Sequence, residues 1–392
     1  MSVDVSAGVR RAVEAPAVGS LPPVPPLAVR AAGMVTAAGF GLGAVGEVLT
    51  GRRRPHSEPV VGDVAVAETS AGAAAAGADY PPRALRTVAP FDAAAHLGRK
   101  GLRTLDRFTR LGLVASGEAI AELPGGLGSG ADLDDTGVVL GTSTGSIATT
   151  TDVGRDTLVN EKPYMVDPAA FANSVMNTCA GQIAIRHGLR GVNATLSGGA
   201  ISGMFAVRYA RTALSRERAR RLLVGAVEEV TARAAWAWHR TGALTADTPL
   251  GEGAVFLVVE PAGAADTRLE LLACEVGYFG GGFGVGAGLR RCVDLALRRS
   301  GLSAADVTLL APGSGGRSRL AMAERRAVAT ALGDLPELLD VVPALGEGYS
   351  ASVLFQLAAT MAVARPGAIG LITSIGEDGN AGALVVRLPG NP

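Results

Sequence analysis

The chain has 392 residues, 48% of them hydrophobic and only 4% aromatic, with 54 glycines, which is the length and composition of a Gly/Ala-rich layered α/β protein with a large buried core. Its 36 basic residues balance 36 acidic ones, so no overall field points to nucleic acid. No run of 18 apolar residues occurs, and the first 20 residues carry Asp4 and Glu14 and lack a continuous apolar segment; neither a membrane span nor a signal peptide is expected, and a soluble, cytoplasmic protein is.

Residues 1–26 are rich in Pro and Ala, with Pro22-Pro23 and Pro25-Pro26, and are expected to form a disordered tail. A first half, 27–262, opens on a strand at Leu27, passes a low-complexity stretch at 71–77 expected to be a loop, and continues into a basic helical stretch at 102–120. A Val138-Val139-Leu140 strand runs into Gly141-Thr142-Ser143-Thr144-Gly145, and a helix is expected over 177–187. Next come Leu189-Arg190-Gly191, a strand at 193–196, the turn Ser197-Gly198-Gly199 and an amphipathic helix bearing Met204, Phe205, Val207 and Ala210. That strand, turn and helix would suit a nucleophile, because unpaired N–H groups and the dipole at a helix N-terminus favour an anion such as a thiolate. The place is filled by Ala200, whose methyl group cannot use that field.

Leu222-Leu223-Val224 leads into Gly225-Ala226-Val227-Glu228-Glu229, and Gly251-Glu252-Gly253-Ala254 opens a further apolar strand. The second half, 263–392, alternates strand (269–278), helix (289–299), strand (307–311), helix (321–331), strand (339–342), helix (353–364) and strand (368–374), and closes on a strand at 383–388. Such alternation is an α/β signature.

Three cysteines, Cys179, Cys274 and Cys292, odd in number and widely spaced, suggest a reducing compartment without a metal cluster, and nothing in the pattern calls for a cofactor. Cys179 and Ser202 are the rival nucleophiles, although free Cys is usually buried and a Ser without a nearby His lacks a base. The four histidines, His56, His96, His187 and His239, read as surface or capping groups. Arg208, Arg211, Arg216, Arg218, Arg220 and Arg221 crowd one helix and its following turn around Glu217, which fits either a solvated helix end or a surface for an acidic partner.

Taken together, these motifs resemble, in order and over nearly the whole chain, the β-ketoacyl synthases, thiolase-fold condensing enzymes of fatty acid and polyketide assembly. Leu189-Arg190-Gly191 matches the lead-in to the family's nucleophile elbow and puts Ala200-Ile201-Ser202-Gly203-Met204 where the catalytic Cys run belongs. The family's His-Gly-Thr-Gly-Thr motif is matched by 309–316 with Pro312 at the His, and its second His by Glu347 in Gly346-Glu347-Gly348. Gly376-Glu377-Asp378-Gly379 stands for the closing Gly-Phe-Gly-Gly turn without its gatekeeping Phe. The implied fold is α/β, an αβαβα layered arrangement of two similar halves, in which Glu228, Glu229 and Glu252 are structural acids.

Claisen condensation in this family takes a thiolate to hold the acyl chain and two imidazoles to support decarboxylation and the developing enolate. Ala200, Pro312 and Glu347 supply none of these. The resemblance therefore implies a non-catalytic ketosynthase-like subunit, a chain-length factor, that forms a heterodimer with an active ketosynthase and shapes the acyl tunnel in polyketide or polyene assembly. It implies that Thr178, Cys179, Ala180 and Gly181 line the tunnel at the interface and that Val192, Asn193, Ala194, Thr195 and Leu196 form the dimer strand. Arg208, Arg211, Arg216 and Arg218 would meet the acidic helix of an acyl carrier protein. The chain departs from the common chain-length factors of aromatic pathways, which carry Gln where Ala200 stands. Two alternatives remain at this point: an active synthase or acyltransferase using Cys179 or Ser202, and a homodimeric acyl-binding scaffold.

Overall fold

Strands apolar on both faces dictate a sheet covered on both sides, and the computed structural model, which describes residues 24–58, 80–263, 266–280 and 284–390, has that arrangement. Among the described residues, the strands of four residues or more are β1 (Leu27–Thr36), β2 (Thr136–Gly141), β3 (Asn193–Leu196), β4 (Arg221–Glu228), β5 (Gly253–Pro261), β6 (Leu269–Tyr278), β7 (Leu309–Pro312), β8 (Ile369–Ile375) and β9 (Asn380–Arg387). The helices of nine residues or more are α1 (Gly41–Leu49), α2 (Arg107–Ala121), α3 (Ile147–Val159), α4 (Thr178–His187), α5 (Ser202–Ser215), α6 (Ala232–Thr241), α7 (Gly284–Ser300), α8 (Leu320–Leu332) and α9 (Ser352–Val363).

The strands run in the order β7-β8-β9-β6-β1-β5-β4-β2-β3, with the short strand Glu337–Leu338 beyond β7. The two wings are parallel at their ends and antiparallel where they approach each other. Among the described residues, the strands of the two wings join where Leu27, Ala28 and Val29 of β1 pair with Leu271, Glu270 and Leu269 of β6.

Period-two alternation sorts each strand's side chains into layers. Leu222, Val224 and Ala226 of β4 and Val255, Leu257 and Val259 of β5 face a central core with α5 and α9. Leu223 and Val227 of β4, with Phe256 and Val258 of β5, face α2 and α4 on the outside. In the other wing, Ala383 and Val385 of β9 face α7 and α8, while Leu384 and Val386 face the centre. This is the layered order expected from sequence.

The two inner helices begin alike. Each follows a 3-10 turn, Gly199–Ile201 before α5 and Tyr349–Ala351 before α9. Ser202 Oγ then accepts the Gly198 N–H at 3.0 Å and Ser352 Oγ the Gly348 N–H at 3.1 Å, satisfying donors that the helix ends would otherwise leave unpaired. Close packing at this centre requires glycine: a Cβ on Gly141 would lie 2.6 Å from the Ser202 carbonyl oxygen.

Several local expectations change. Instead of a strand at 339–342, Glu337–Leu338 pair with β7 and Val342–Leu345 form a helical turn, because Pro343 lacks an N–H for a ladder but suits a helix's first turn. Residues 1–23 and 71–77 lie outside the described residues, yet Val24, Pro25 and Pro26 are placed: the Val24 N–H donates to the Arg299 carbonyl at 3.2 Å. The stretch at 102–120 divides into a 3-10 turn, Leu102–Thr104, and α2, whose N-cap Asp106 accepts the Thr109 N–H at 2.7 Å. The helix expected at 289–299 begins earlier, as Gly284–Ser300.

Candidate functional site

The elbow between β3 and α5 is built by backbone and hydroxyl groups. Gly199 takes φ +58°, and Ala200 behind it is buried. Ser202 Oγ donates to the Gly199 carbonyl at 2.7 Å, accepts from Gly198, and lies 3.2 Å from Ser143 Oγ, which itself reaches the Gly199 carbonyl at 3.1 Å. Ser202 is thus a buried cap with its hydrogen-bonding capacity used, which opposes its reading as a nucleophile. Every histidine is placed elsewhere: His56 against Thr87, His96 stacked on Phe40, His187 at the end of α4 and His239 against Trp236.

Pro312 ends β7, opposite Thr373 of β8. The loop after it is pinned by Glu324 of α8, whose buried carboxyl accepts the Gly313 and Ser314 N–H groups at 3.2 and 2.8 Å, the Ser314 hydroxyl, and the Thr373 hydroxyl at 2.7 Å. Burial pushes that carboxyl above its ordinary range, and the donors partly offset the push. The same loop delivers Arg317, which no motif singled out.

Arg317 forms a two-point ion pair with Glu347, Nη2 to Oε1 at 2.9 Å and Nε to Oε2 at 3.3 Å, and each side chain is 1% exposed. The Glu347 carboxylate also accepts the Tyr349 N–H and the Ser352 hydroxyl, both at 2.9 Å. Burial works against the Arg317 charge, but Glu347 outweighs it and holds the guanidinium above its usual value. The sequence did hold a signal for this cation: a carboxylate at a buried Gly-Glu-Gly turn demands a partner.

Pro312, Ser352, Phe355 and Gln356 line a cavity of about 10 Å³ between these loops. That is room for one water and none for an acyl chain. The positions Ala200, Pro312 and Glu347 therefore converge around the starts of α5 and α9 on a filled, hydrogen-bonded centre without a nucleophile or an imidazole.

Cys179 sits on α4 but points into the core. Its Sγ lies 2.5 Å from where a Cβ on Gly112 of α2 would be, so the thiol fills the notch left by that glycine. Burial, with a contribution from the Asp106 charge, pushes the thiol far above its ordinary range; Cys274 and Cys292 are pushed up to about 12, mainly by burial. None of the three is a thiolate at neutral pH. Cys179→Phe is accordingly expected to overpack the core and lower stability by about 1–3 kcal/mol or more in denaturant titration. A variant as stable as the parent would remove Cys179 from the core.

The structural acids have defined partners. Glu252 pairs with Arg107 at 2.7 and 2.8 Å and accepts the Val88 N–H at 2.9 Å and the Val230 N–H at 3.3 Å. Glu229 accepts the Ser146 hydroxyl and the Ala148 N–H at the start of α3, and Glu228 the Ser350 hydroxyl at 2.5 Å. Burial is the main cause that lifts Glu229 to about 8 and Glu228 to about 7. Among the described residues, no group of three or more His, Cys, Asp and Glu could hold a metal ion, and no helix is long and apolar enough to cross a membrane.

Comparison with known proteins decides the family. A profile described as "Beta-ketoacyl synthase, N-terminal domain" matches residues 29–262. The chain belongs to the β-ketoacyl synthase family. It is 28% identical over 236 residues to the 3-oxoacyl-[acyl-carrier-protein] synthase 2 of Rhizobium meliloti, a match covering 53% of this chain and 56% of that protein, so it spans little more than half of that relative's length. It is 29% identical over 280 residues to the granaticin polyketide putative beta-ketoacyl synthase 2 of Streptomyces violaceoruber, covering 65% of this chain and 66% of that one. Among solved structures, the ishigamide ketosynthase/chain length factor matches with a TM-score of 0.78 and 30% identity, covering 93% of this chain and all of that one.

Within this ketosynthase-like fold the remaining sequence-singled residues are spread over two faces. Val192, Asn193, Ala194, Thr195 and Leu196 lie at or in β3, the last strand of the sheet, which pairs on one side with β2. Helix α3 has no fully buried residue, and Leu158 (86% exposed), Tyr164, Phe171, Val175 and Ile185 (75%) stand open. On α4, Ala180 is buried with its carbonyl accepting Asn193 Nδ2 at 3.1 Å, and the Thr178 hydroxyl is tied to the Ala172 carbonyl at 2.7 Å. At Gly181 a Cβ would point into open space.

The arginine cluster is less basic at the surface than its sequence reads. Arg211 is buried and donates to the Leu271 and Pro25 carbonyls, Arg208 pairs with Glu275 at 3.2 Å, and Arg221 pairs with Glu260 at 2.5 Å. Arg220 lies 3.6 Å from Asp135. Of the four expected docking residues, only Arg216 and Arg218 are exposed. Arg211 is corrected to an internal residue because its guanidinium is spent on backbone carbonyls.

Proposed function

We propose that this chain is a non-catalytic ketosynthase-like subunit, a chain-length factor, that pairs with an active β-ketoacyl synthase in polyketide or polyene biosynthesis and shapes the tunnel in which the acyl chain grows. The observation that carries the reading is the buried Arg317–Glu347 ion pair set between the motifs that hold the family's histidines, with Ala200 at the nucleophile position. The likeness to the ishigamide ketosynthase/chain length factor supports it as well. The open strand β3 and the apolar residues of α3 and α4 provide the surface for the partner, since a sheet edge and an apolar patch of this kind are ordinarily covered. Arg216 and Arg218 are left as candidate contacts for an acyl carrier protein.

Co-expression with a candidate active ketosynthase, followed by sizing, tests the pairing. A stable one-to-one complex is expected. A chain that purifies as a homodimer and ignores the ketosynthase would favour an acyl-binding scaffold and reject this reading.

Gly181→Phe tests the tunnel. Because a Cβ at Gly181 meets nothing within 4 Å, the ring can leave the helix without entering this chain's core, and the complex should assemble and release shorter products. An intact complex with unchanged product length would reject this placement of the tunnel wall.

A further inference from the structure

The ion pair at the vestigial centre has a cover. Tyr349 adopts φ +43°, a left-handed conformation that a bulky residue keeps only when its surroundings hold it there. Three sets of contacts do so. Its N–H is bound by the Glu347 carboxylate, its ring meets Trp238 of α6 edge-on at 4.9 Å, and the Arg317 guanidinium lies 5.4 Å from its centroid and 5.7 Å from that of Trp238. This cation shared between two rings fixes both in place. At the far end of the side chain, the Tyr349 hydroxyl is 3.2 Å from where a Cβ on Gly199 would be, the residue directly before Ala200. Asp378 approaches the same point, its Oδ2 2.8 Å from that position.

We propose that Tyr349, buttressed by Trp238 and Arg317, is a lid over the Ala200 elbow that closes this subunit's own entrance to a pantetheine-linked acyl group. The proposal deepens the chain-length-factor reading and rests on it for its purpose: with one entrance closed, a carrier can deliver its acyl arm only to the active partner. Tyr349 is in this sense a specificity-determining residue for the pair. Its ring does the closing, and its strained backbone marks where the closing was built.

The three native cysteines are buried, so a thiol introduced by Ala200→Cys reports access to the elbow against a quiet background. The full-length Ala200→Cys chain is treated with a pantetheine-linked bromoacetamide, and adducts are counted and located by mass spectrometry. Alkylation at residue 200 should be at least tenfold faster in Ala200→Cys/Tyr349→Gly than in Ala200→Cys. Glycine suits the left-handed φ, so this variant removes the ring without adding backbone strain. Ala200→Cys/Tyr349→Phe should stay slow, because the ring remains.

Should the glycine variant unfold, adducts on Cys179, Cys274 and Cys292 will reveal it, and Ala200→Cys/Trp238→Ala then decides by the same tenfold criterion. Equal rates with and without the ring, in a chain labelled only at residue 200, would overturn the lid. The readout does not involve condensation. A chain that condenses alone would defeat the functional reading while leaving the lid measurement intact.

Discussion

Arg317→Ala should destabilise the chain by about 3–5 kcal/mol, because it removes the cation and leaves the Glu347 carboxylate buried without its partner. Glu347→Gln should also cost stability, for it strands the guanidinium among the rings of Trp238 and Tyr349. Replacing both at once, Arg317→Met with Glu347→Leu, should return most of the loss, since a buried pair exchanged for apolar groups of similar volume is often neutral. The check is the urea midpoint of each variant at one fixed protein concentration, so that association does not alter the comparison. An Arg317→Ala variant within 1 kcal/mol of the parent, on the order of a surface substitution, would mean that the pair does not hold the centre together.

Ala200→Cys should give no ketosynthase. The new thiol would sit in the 3-10 turn just before α5, where the helix dipole favours a thiolate but where the ring of Tyr349 is proposed to keep a pantetheine-linked acyl group away. Condensation would still fail, because Pro312 offers no proton or donor and the Glu347 anion is already engaged. Each missing donor to a developing oxyanion is worth ~10²–10³ in rate. Neither the parent chain nor Ala200→Cys, purified alone, should release carbon dioxide from malonyl carrier protein. Measurable condensation by the parent chain would return Cys179 and Ser202 to candidacy. Restoring the histidines too, as Ala200→Cys/Pro312→His/Glu347→His, should lower stability further, because Arg317 would lose its counter-ion. The ion pair thus obstructs reversion in two ways, by filling the site and by penalising its removal.

Much of this was legible in the sequence because it is local. The Gly198-Gly199 turn before α5, the Gly-Glu-Gly before α9 and the strand alternation of β4 and β5 are all written within a dozen residues. Arg317 was not legible as a partner of Glu347, since the contact exists only when two loops 30 positions apart meet. Cys179 misled for a similar reason: the notch it fills belongs to Gly112, on another helix. The arginine cluster could have been sorted in advance. Arg211 follows Val207 by four residues, which places it on the buried stripe of α5, whereas Arg216 and Arg218 fall past the last turn. The misplaced strand at 339–342 turned on Pro343, whose ring suits the first turn of a helix and has no N–H to extend the edge ladder.

No residue of helix α3 is fully buried within its own chain, although its start is tied to Glu229 and its middle to Arg233, and at 13 residues it is short enough to be marginal in water. Under the proposed pairing, part of the free energy that orders it would come from a partner lying against Leu158 and its neighbours. Copies made in excess of the partner would expose that segment to proteases and chaperones, whereas assembled copies would be shielded. Abundance of the subunit in the cell would then follow the supply of its partner without any dedicated regulator, a stoichiometry enforced by turnover.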